Sequence, residues 1–261
     1  MEKKLLSQRN KFFYFCAVWY RRILRYGQWY FKGINFAKIR TADKLPYRVK
    51  KHQSVLIRKL GDSDVQLQLN KVENLKIAIK KIDGIIIKPG EVFSFCKLVG
   101  LPTKRKGYLE GMELAFGEAR PGVGGGLCQI ANLLNWLTIH SPLTVIERHH
   151  HSFDPFPDDG RVLPFGSGAT IFYIYGDFQI NLWMSVKCLE GELRIDEELD
   201  YTYHVYEKNH RFLKKDGNFY RQNEIWRNKI AKFQGGKVLE EELVTKNFAL
   251  VKYIPENFEE E

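Results

Sequence analysis

The feature that most constrains this chain is a glycine run that passes without a break into an apolar stretch. Pro121-Gly122-Val123-Gly124-Gly125-Gly126-Leu127-Cys128-Gln129 is followed by Ile130, Ala131, Leu133, Leu134, Trp136, Leu137 and Ile139. These side chains cover most of the circumference of a helix, so that helix must be surrounded rather than laid on a surface. Ser141-Pro142 ends it, because proline lacks a backbone donor and restricts the residue before it. The glycines just ahead let the backbone approach a neighbour closely.

The surrounding segments read mainly as strands. Leu143 to His149 alternates and is rich in β-branched residues. Gly84 to Ile87 is a second strand, and Lys88-Pro89-Gly90-Glu91 is a type II turn into Val92 to Phe95. Asn70 to Lys81 has the spacing of a short amphipathic helix. Ala169 to Met184 is one long strand or a bent pair, with Gly176-Asp177 as a bulge or turn. The tail is a meander over Tyr201 to Lys214, Phe219 to Phe233 and Lys237 to Tyr253, broken at Asp216-Gly217 and Gly235-Gly236, where positive φ is tolerated.

The expected fold is therefore α+β: a central glycine-capped helix among antiparallel strands, with a helical N-terminal arm and a C-terminal β-meander. The expected divisions are an arm and linker over 1–60, a core over 61–200 and the meander over 201–261. Within the arm, residues 5–40 read as helix with breaks at Gly27 and Gly33, and Thr41 to Val49 as a linker containing Pro46. Of the 261 residues 44% are hydrophobic and 14% aromatic, which excludes a mainly disordered chain.

The net charge of +10 is local. Residues 1–60 hold sixteen Lys and Arg against Glu2 and Asp43, a balance of +14, and the remainder is slightly acidic. The arm interleaves Phe12, Phe13, Tyr14, Phe15, Trp19, Tyr20, Trp29, Tyr30 and Phe31 with Arg21, Arg22, Arg25 and Lys32. Aromatics beside cations suit an anionic membrane surface, here through residues 1–40. They also suit stacked bases, or simply a packed helix with a solvated basic face. Nucleic acid is not the expected partner.

The apolar run Phe12 to Tyr20 is short, Arg21-Arg22 interrupts it, and no small-residue cleavage site follows. A signal peptide or a spanning helix, which needs about 20 apolar residues, is thus not expected. Four cysteines without paired spacing fit a reducing compartment. The expected address is cytoplasmic, peripheral on the inner face of the membrane.

Cys128 is the candidate for chemistry. A thiol attacks as thiolate, and the start of a helix favours that form through its partial positive charge and unpaired N–H groups. Gly124, Gly125 and Gly126 leave room for a substrate and amides for an oxyanion, and Gln129 is placed to add a side-chain donor. His149 and His151 share a strand face by period-two alternation while His150 faces away, so either is the candidate base. A cysteine opening a central helix with a histidine on a following strand is the logic of acyl transfer.

Against this, a buried cysteine is usually an inert hydrophobe, the reading held for Cys16, Cys96 and Cys188. A zinc site from Cys128, His149 and His151 with Asp154 or Asp158 lacks a second cysteine or an H-E-x-x-H spacing, so no metal and no cofactor is expected. His52, His140, His204 and His210 read as ordinary surface or strand residues.

Several blocks resemble one family. They are Pro89-Gly90-Glu91-Val92-Phe93-Ser94-Phe95, Gly107-Tyr108, Gly122 to Gln129, Glu147-Arg148-His149-His150-His151-Ser152 and Tyr175-Gly176-Asp177-Phe178. Together they resemble the VanW family, named for an accessory protein of B-type vancomycin resistance clusters, over about Asn74 to Leu182. The resemblance implies L,D-transpeptidase activity on peptidoglycan stem peptides or lipid-linked precursors. It makes Cys128 the nucleophile and His149 or His151 the base, with Arg148 beside them at the substrate.

Two departures stand out. Many relatives have Ser-Ser where this chain has Ala131-Asn132. Many also have an Asp where this chain has Gly168, which leaves Asp177 as the candidate carboxylate. The rival reading is a non-catalytic scaffold that holds a precursor or a resistance enzyme at the membrane.

Overall fold

The structure is a computed structural model that describes residues 10–57, 64–115, 118–150, 153–154, 166–172, 176–233 and 235–260. It divides into two compact units, Met1–Phe36 and Ala37–Glu261.

The first unit holds one helix, α1 (Lys11–Phe31), capped by Asn10, whose side chain accepts from Phe12 N–H at 2.8 Å. The expected helix over 5–40 is shorter at its C-terminal end, where Lys32 and then Gly33 at φ 62° turn the chain out of helix. Phe12, Phe15, Trp19, Ile23, Tyr26 and Tyr30 form one stripe along α1, and all six are exposed. By helical periodicity Arg21 and Arg25 fall on the opposite side.

The second unit is α+β, as expected. Its elements are β1 (Tyr47–Val55), α2 (Val65–Ile82), β2 (Ile85–Ile87), β3 (Val92–Ser94), α3 (Phe95–Val99), β4 (Glu110–Ala115), β5 (Glu118–Val123) and α4 (Cys128–Ile139). Then come β6 (Thr144–His150), β7 (Phe153–Asp154), β8 (Gly166–Phe172), β9 (Phe178–Met184), β10 (Cys188–Ile195), β11 (Tyr201–Lys215), β12 (Asn218–Ala231), β13 (Val238–Val251) and β14 (Glu259–Glu260).

Four sheets form among the described residues. An antiparallel sheet runs β1-β10-β9-β2, a second runs β3-β8-β6, and β4-β5 is a hairpin. The meander β11-β12-β13 is antiparallel, with β14 and β7 added in parallel at its edges.

Helix α2 begins five residues before the expected Asn70 because Asp64 caps it, accepting from Gln66 N–H at 2.8 Å. It buries Leu75, Ala78, Ile79 and Ile82, an i, i+3, i+4, i+7 stripe, in one core with α4 and the β1-β10-β9-β2 sheet. Helix α4 lies directly on β10 at Gly191. A Cβ there would stand 2.9 Å from Leu182 Cδ2 and 3.0 Å from Leu133 Cδ2, so only glycine lets helix and strand meet.

Three sequence readings need correction. The linker over 41–49 gives way at Tyr47 to β1, whose backbone pairs with β10 from Ile195 to Cys188. The stretch 169–184 is the expected pair of strands, β8 and β9, with Gly176 between them at φ 69°, and the correction is only that the two join different sheets. His140 is no surface residue: it is 5% exposed at the end of α4, its ring 4.3 Å from that of Trp136 and its Nδ1 2.8 Å from Trp136 O.

Burial holds the His140 imidazole down at about 4, with Lys50, His52 and His204 pushing the same way against the Trp136 carbonyl. The unfolded chain takes up this proton near its ordinary 6.5 and the folded chain only near 4, so folding stability falls as pH drops through that window. The loss amounts to about 3 kcal/mol. Urea unfolding of the wild type and His140→Gln between pH 7 and pH 4 checks this, the variant losing markedly less stability on acidification.

Candidate functional site

Cys128 is the first residue of α4, and the elements around it explain its setting. The end of β1 lies beside it: Gln129 Nε2 donates to Ser54 Oγ at 2.8 Å and to Val55 O at 2.9 Å. Lys71 of α2 comes from another side, its ammonium donating to Leu56 O and to Gln68 Oε1. Both amide hydrogens of Gln129 are thus engaged in tying α4 to β1. The expected oxyanion donor is a structural clamp.

The glycines also act differently from expectation. A Cβ on Gly125 would stand 2.2 Å from Gly111 C and O, one on Gly124 2.4 Å from Pro102 Cβ, and one on Gly126 2.1 Å from Lys71 Cγ. The space a side chain would need is filled by the protein and not kept for a ligand. Gly124 and Gly126 sit at φ 82° and 90°, where glycine is also favoured by backbone sterics. Asn74, fully buried on α2, fastens this turn: Nδ2 donates to Gly125 O at 3.0 Å and Leu109 O at 3.1 Å, and Oδ1 accepts from Leu109 N–H at 2.8 Å.

What the turn does leave is donors. Gly124 N–H bonds Leu109 O and Gly125 N–H bonds Gly122 O, whereas the amides of Gly126, Leu127 and Cys128 have no acceptor on another residue among those described. Leu127 is the N-cap and Cys128 the first residue of a twelve-residue helix, and Gly126 precedes them. The Cys128 and Gln129 amides face the sulfur and, with Lys71, draw the thiol toward ionisation. Burial works against them and is the stronger, so the thiol is pushed up from its ordinary value, contrary to the depressed value expected of a helix start.

His149 lies on β6, where its Nε2 is 2.8 Å from Glu147 Oε1, and its side chain is largely exposed. No hydrogen bond joins His149 to Cys128 among the described residues. A register shift at Arg148/His149 interrupts the alternation on which the face assignment of the three histidines rested. His151 and Asp158 lie outside the described residues. Arg148 lines a cleft beside α4, and burial lowers its guanidinium to about 10.

Asp177 is placed away from the sulfur. Its N–H donates to Asp196 Oδ1 at 3.0 Å, just beyond Ile195, at the opposite end of β10 from Leu189 and Cys188, the partners of Ser54 and Val55. Six strand steps, about 20 Å, separate the two ends. Burial and the nearby Asp196 and Glu91 carboxylates raise the Asp177 carboxyl against the pull of Lys88. Among the described residues it is Glu147, not Asp177, whose carboxylate stands at His149. Sequence pattern carried that signal, since Glu147 and His149 are two apart on one strand. Lys71, about sixty residues upstream, left none.

No group of three or more His, Cys, Asp or Glu is placed to hold a metal among the described residues. Asp154 instead pairs with Arg221, both buried, at 3.6 Å.

Residues 70–188 match the family model described as VanW like protein. The chain is 30% identical over 268 residues to the Vancomycin B-type resistance protein VanW of Enterococcus faecalis (strain ATCC 700802 / V583), covering 98% of this chain and 97% of that one. It is 29% identical over 123 residues to the uncharacterized protein YoaR of Bacillus subtilis (strain 168), covering 47% of this chain and 41% of YoaR. No solved structure matches the chain.

The contact of Gly125 with Gly111 leaves no room for a methyl group. Gly125→Ala is expected to lower stability by about 3 kcal/mol, the upper part of the overpacking range, as a shift of the urea midpoint. Asn74→Ala, which leaves the buried Leu109 amide and Gly125 carbonyl without partners, is expected to cost a similar amount.

Proposed function

The chain belongs to the VanW family, and from that membership we propose a cysteine acyltransferase of the L,D-transpeptidase type, acting on peptidoglycan stem peptides or their precursors. The observation that carries this reading is the helix start, where Cys128 opens α4 beside the amides of Gly126, Leu127 and Cys128, which have no acceptor on another described residue. The printed name of the Enterococcus faecalis relative supports a role accessory to glycopeptide (vancomycin) resistance.

In this reading the Cys128 proton passes to His149, which Glu147 orients through the 2.8 Å contact. Sulfur bonds to a peptide carbonyl carbon, and the carbonyl electron pair moves onto oxygen, where the three amides hold the charge. The pair returns, the C–N bond breaks, and the leaving amine takes the proton from the imidazolium. An amine or water then attacks the thioester and gives its proton to His149, the C–S bond breaks, and the departing Cys128 sulfur takes that proton back. His151 remains a candidate for the same role.

A half-buried thiol raised by desolvation rests protonated and is activated only when a substrate brings the base into reach, a pattern suited to avoiding idle reactivity. The working location proposed is the cytoplasm, peripheral on the inner membrane face. There the substrate is a precursor, and the reaction is exchange or trimming of its stem.

The second reading is a non-catalytic scaffold at the membrane, and a specific observation favours it. The aromatic stripe of α1 is exposed, and by helical periodicity Arg21 and Arg25 lie on the opposite face of the helix. A helix with this arrangement suits the interface of an anionic bilayer. No helix among the described residues is long and apolar enough to cross a membrane.

Intact-protein mass spectrometry after incubation with stem-peptide precursors separates the two. Acyl transfer gives a mass gain on the wild type that is absent from Cys128→Ala and forms about 100-fold more slowly in His149→Ala. A wild type that never gains mass, yet retains the precursor on gel filtration, is the scaffold.

Membrane attachment is a separate expectation. Anionic liposomes should float the full chain at low salt, less at high salt, and not at all once residues 1–40 are deleted.

A further inference from the structure

A cleft of about 210 Å³ opens where α4, β6 and the meander strands β12 and β13 meet. Asn135 and Ile139 line it from the helix, Glu147 and Arg148 from β6, Ile225 and Thr245 from the meander. It is smaller than the roughly 300 Å³ at which pockets for whole small molecules begin, and suits the end of a chain rather than its middle.

Asn135 points to what fits. It is 3% exposed, its carboxamide makes no hydrogen bond among the described residues, and its polar atoms are nevertheless not sealed off. A buried amide with no partner in the protein costs stability unless something else satisfies it. The carboxamide offers one acceptor and two donors, a set that matches a peptide group or a carboxylate.

Arg148 adds a positive charge in a desolvated setting, still protonated at neutral pH with its guanidinium lowered to about 10. A desolvated guanidinium favours a carboxylate in bidentate geometry. Glu147 also lines the cleft, but His149 Nε2 stands at its carboxylate.

The cleft is also in register with Cys128. Seven residues along a helix return almost to the starting face and rise about 10 Å. Cys128 and Asn135 therefore share one side of α4, and the distance between them is that of about three extended residues.

We propose that this cleft binds the carboxylate end of a peptide acyl donor, with Asn135 holding its last amide and Arg148 its terminal carboxylate. The peptide's identity rests on the acyl-transfer reading; the preference for a free carboxylate end does not. With that end anchored, a carbonyl two to three residues inward lies level with Cys128.

The test is a calorimetric titration with acetyl-Lys-D-Ala-D-Ala as free acid and as C-terminal amide. The full chain carries Cys128→Ala, so the result is independent of turnover. The acid is expected to bind about tenfold more tightly than the amide. Arg148→Gln is expected to abolish that preference.

Asn135→Leu is expected to weaken the acid about tenfold while leaving the melting temperature unchanged or higher, because the side chain has no bond in the protein to lose. A merely structural Asn135 would give the reverse, a lower melting temperature with unchanged affinity. Equal affinity for acid and amide, no saturable binding, or free D-alanine competing as strongly as the peptide overturns the proposal. Selective binding without acyl-enzyme in the wild type would remove the chemistry and leave the cleft. Acyl-enzyme with acid and amide bound equally would do the opposite.

Discussion

The site depends on one close approach, that of Gly125 to Gly111. Two backbones meet there without side chains between them, and Asn74 bonds both the Gly125 carbonyl and the main chain at Leu109. The contact joins α2, the start of the β4-β5 hairpin and the turn into α4. Because the turn is pinned, the helix starts at a fixed point, and the amides of Gly126 and Leu127 just before it have no acceptor among the described residues. A buried Asn and a pair of glycines thus determine where the sulfur stands, although none of the three touches it.

The same packing explains why the thiol is raised. Bringing Lys71, Gly126 and the end of β1 together removes water from Cys128, and desolvation penalises the thiolate more than the helix start and Lys71 favour it. A helix N-terminus lowers a thiol's value only where the sulfur also keeps some solvent or a strong charge partner. The Lys71 ammonium already donates to Leu56 O and Gln68, so its help is divided. In the acyl-transfer reading proposed above, proton transfer would be coupled to ligand arrival, with the base as the component that completes the site.

Legibility in the sequence followed the range of the interactions. The meander was readable because Asp216-Gly217 and Gly235-Gly236 set its turns locally, and Asp216 and Gly217 adopt φ 50° and 73°. The type II turn was equally local, with Glu91 N–H bonding Lys88 O at 2.9 Å and Gly90 at φ 77°. Helix α4 was readable from its apolar circumference.

Strands whose two faces are both occupied were not. β10 alternates Leu189, Leu193 and Ile195 in the core with Glu190 and Glu192, which are also buried. Those acids are held by residues about 140 positions away, and no local pattern reveals that. The role of Gln129 was missed for the same reason: its acceptors on β1 are seventy-five residues upstream. The placement of Asp177 beside Asp196 was not readable because a family block orders residues in sequence and not along a sheet.

The contacts of β10 also redistribute the basic charge of the N-terminal sixty residues. Lys44 pairs with Glu192 at 2.5 Å and Lys51 with Glu190 at 3.1 Å, and both ammonium groups stand over the Trp183 ring. Arg194, from β10 itself, bonds the Leu45 and Pro46 carbonyls. These cations close the outer face of the sheet that carries α4. Their carboxylate partners lie beyond residue 60, which is why the arm looks so strongly basic when the chain is counted in segments. The charge of the first sixty residues left after these pairs is therefore smaller than +14, and part of it lies on α1, where Arg21, Arg22 and Arg25 fall within two turns of a helix that carries an exposed aromatic stripe. The membrane attachment proposed above would draw its strength from aromatic insertion, with a few cations adding a salt-sensitive part. It leaves Lys44 and Lys51 to the sheet on which the candidate site is built.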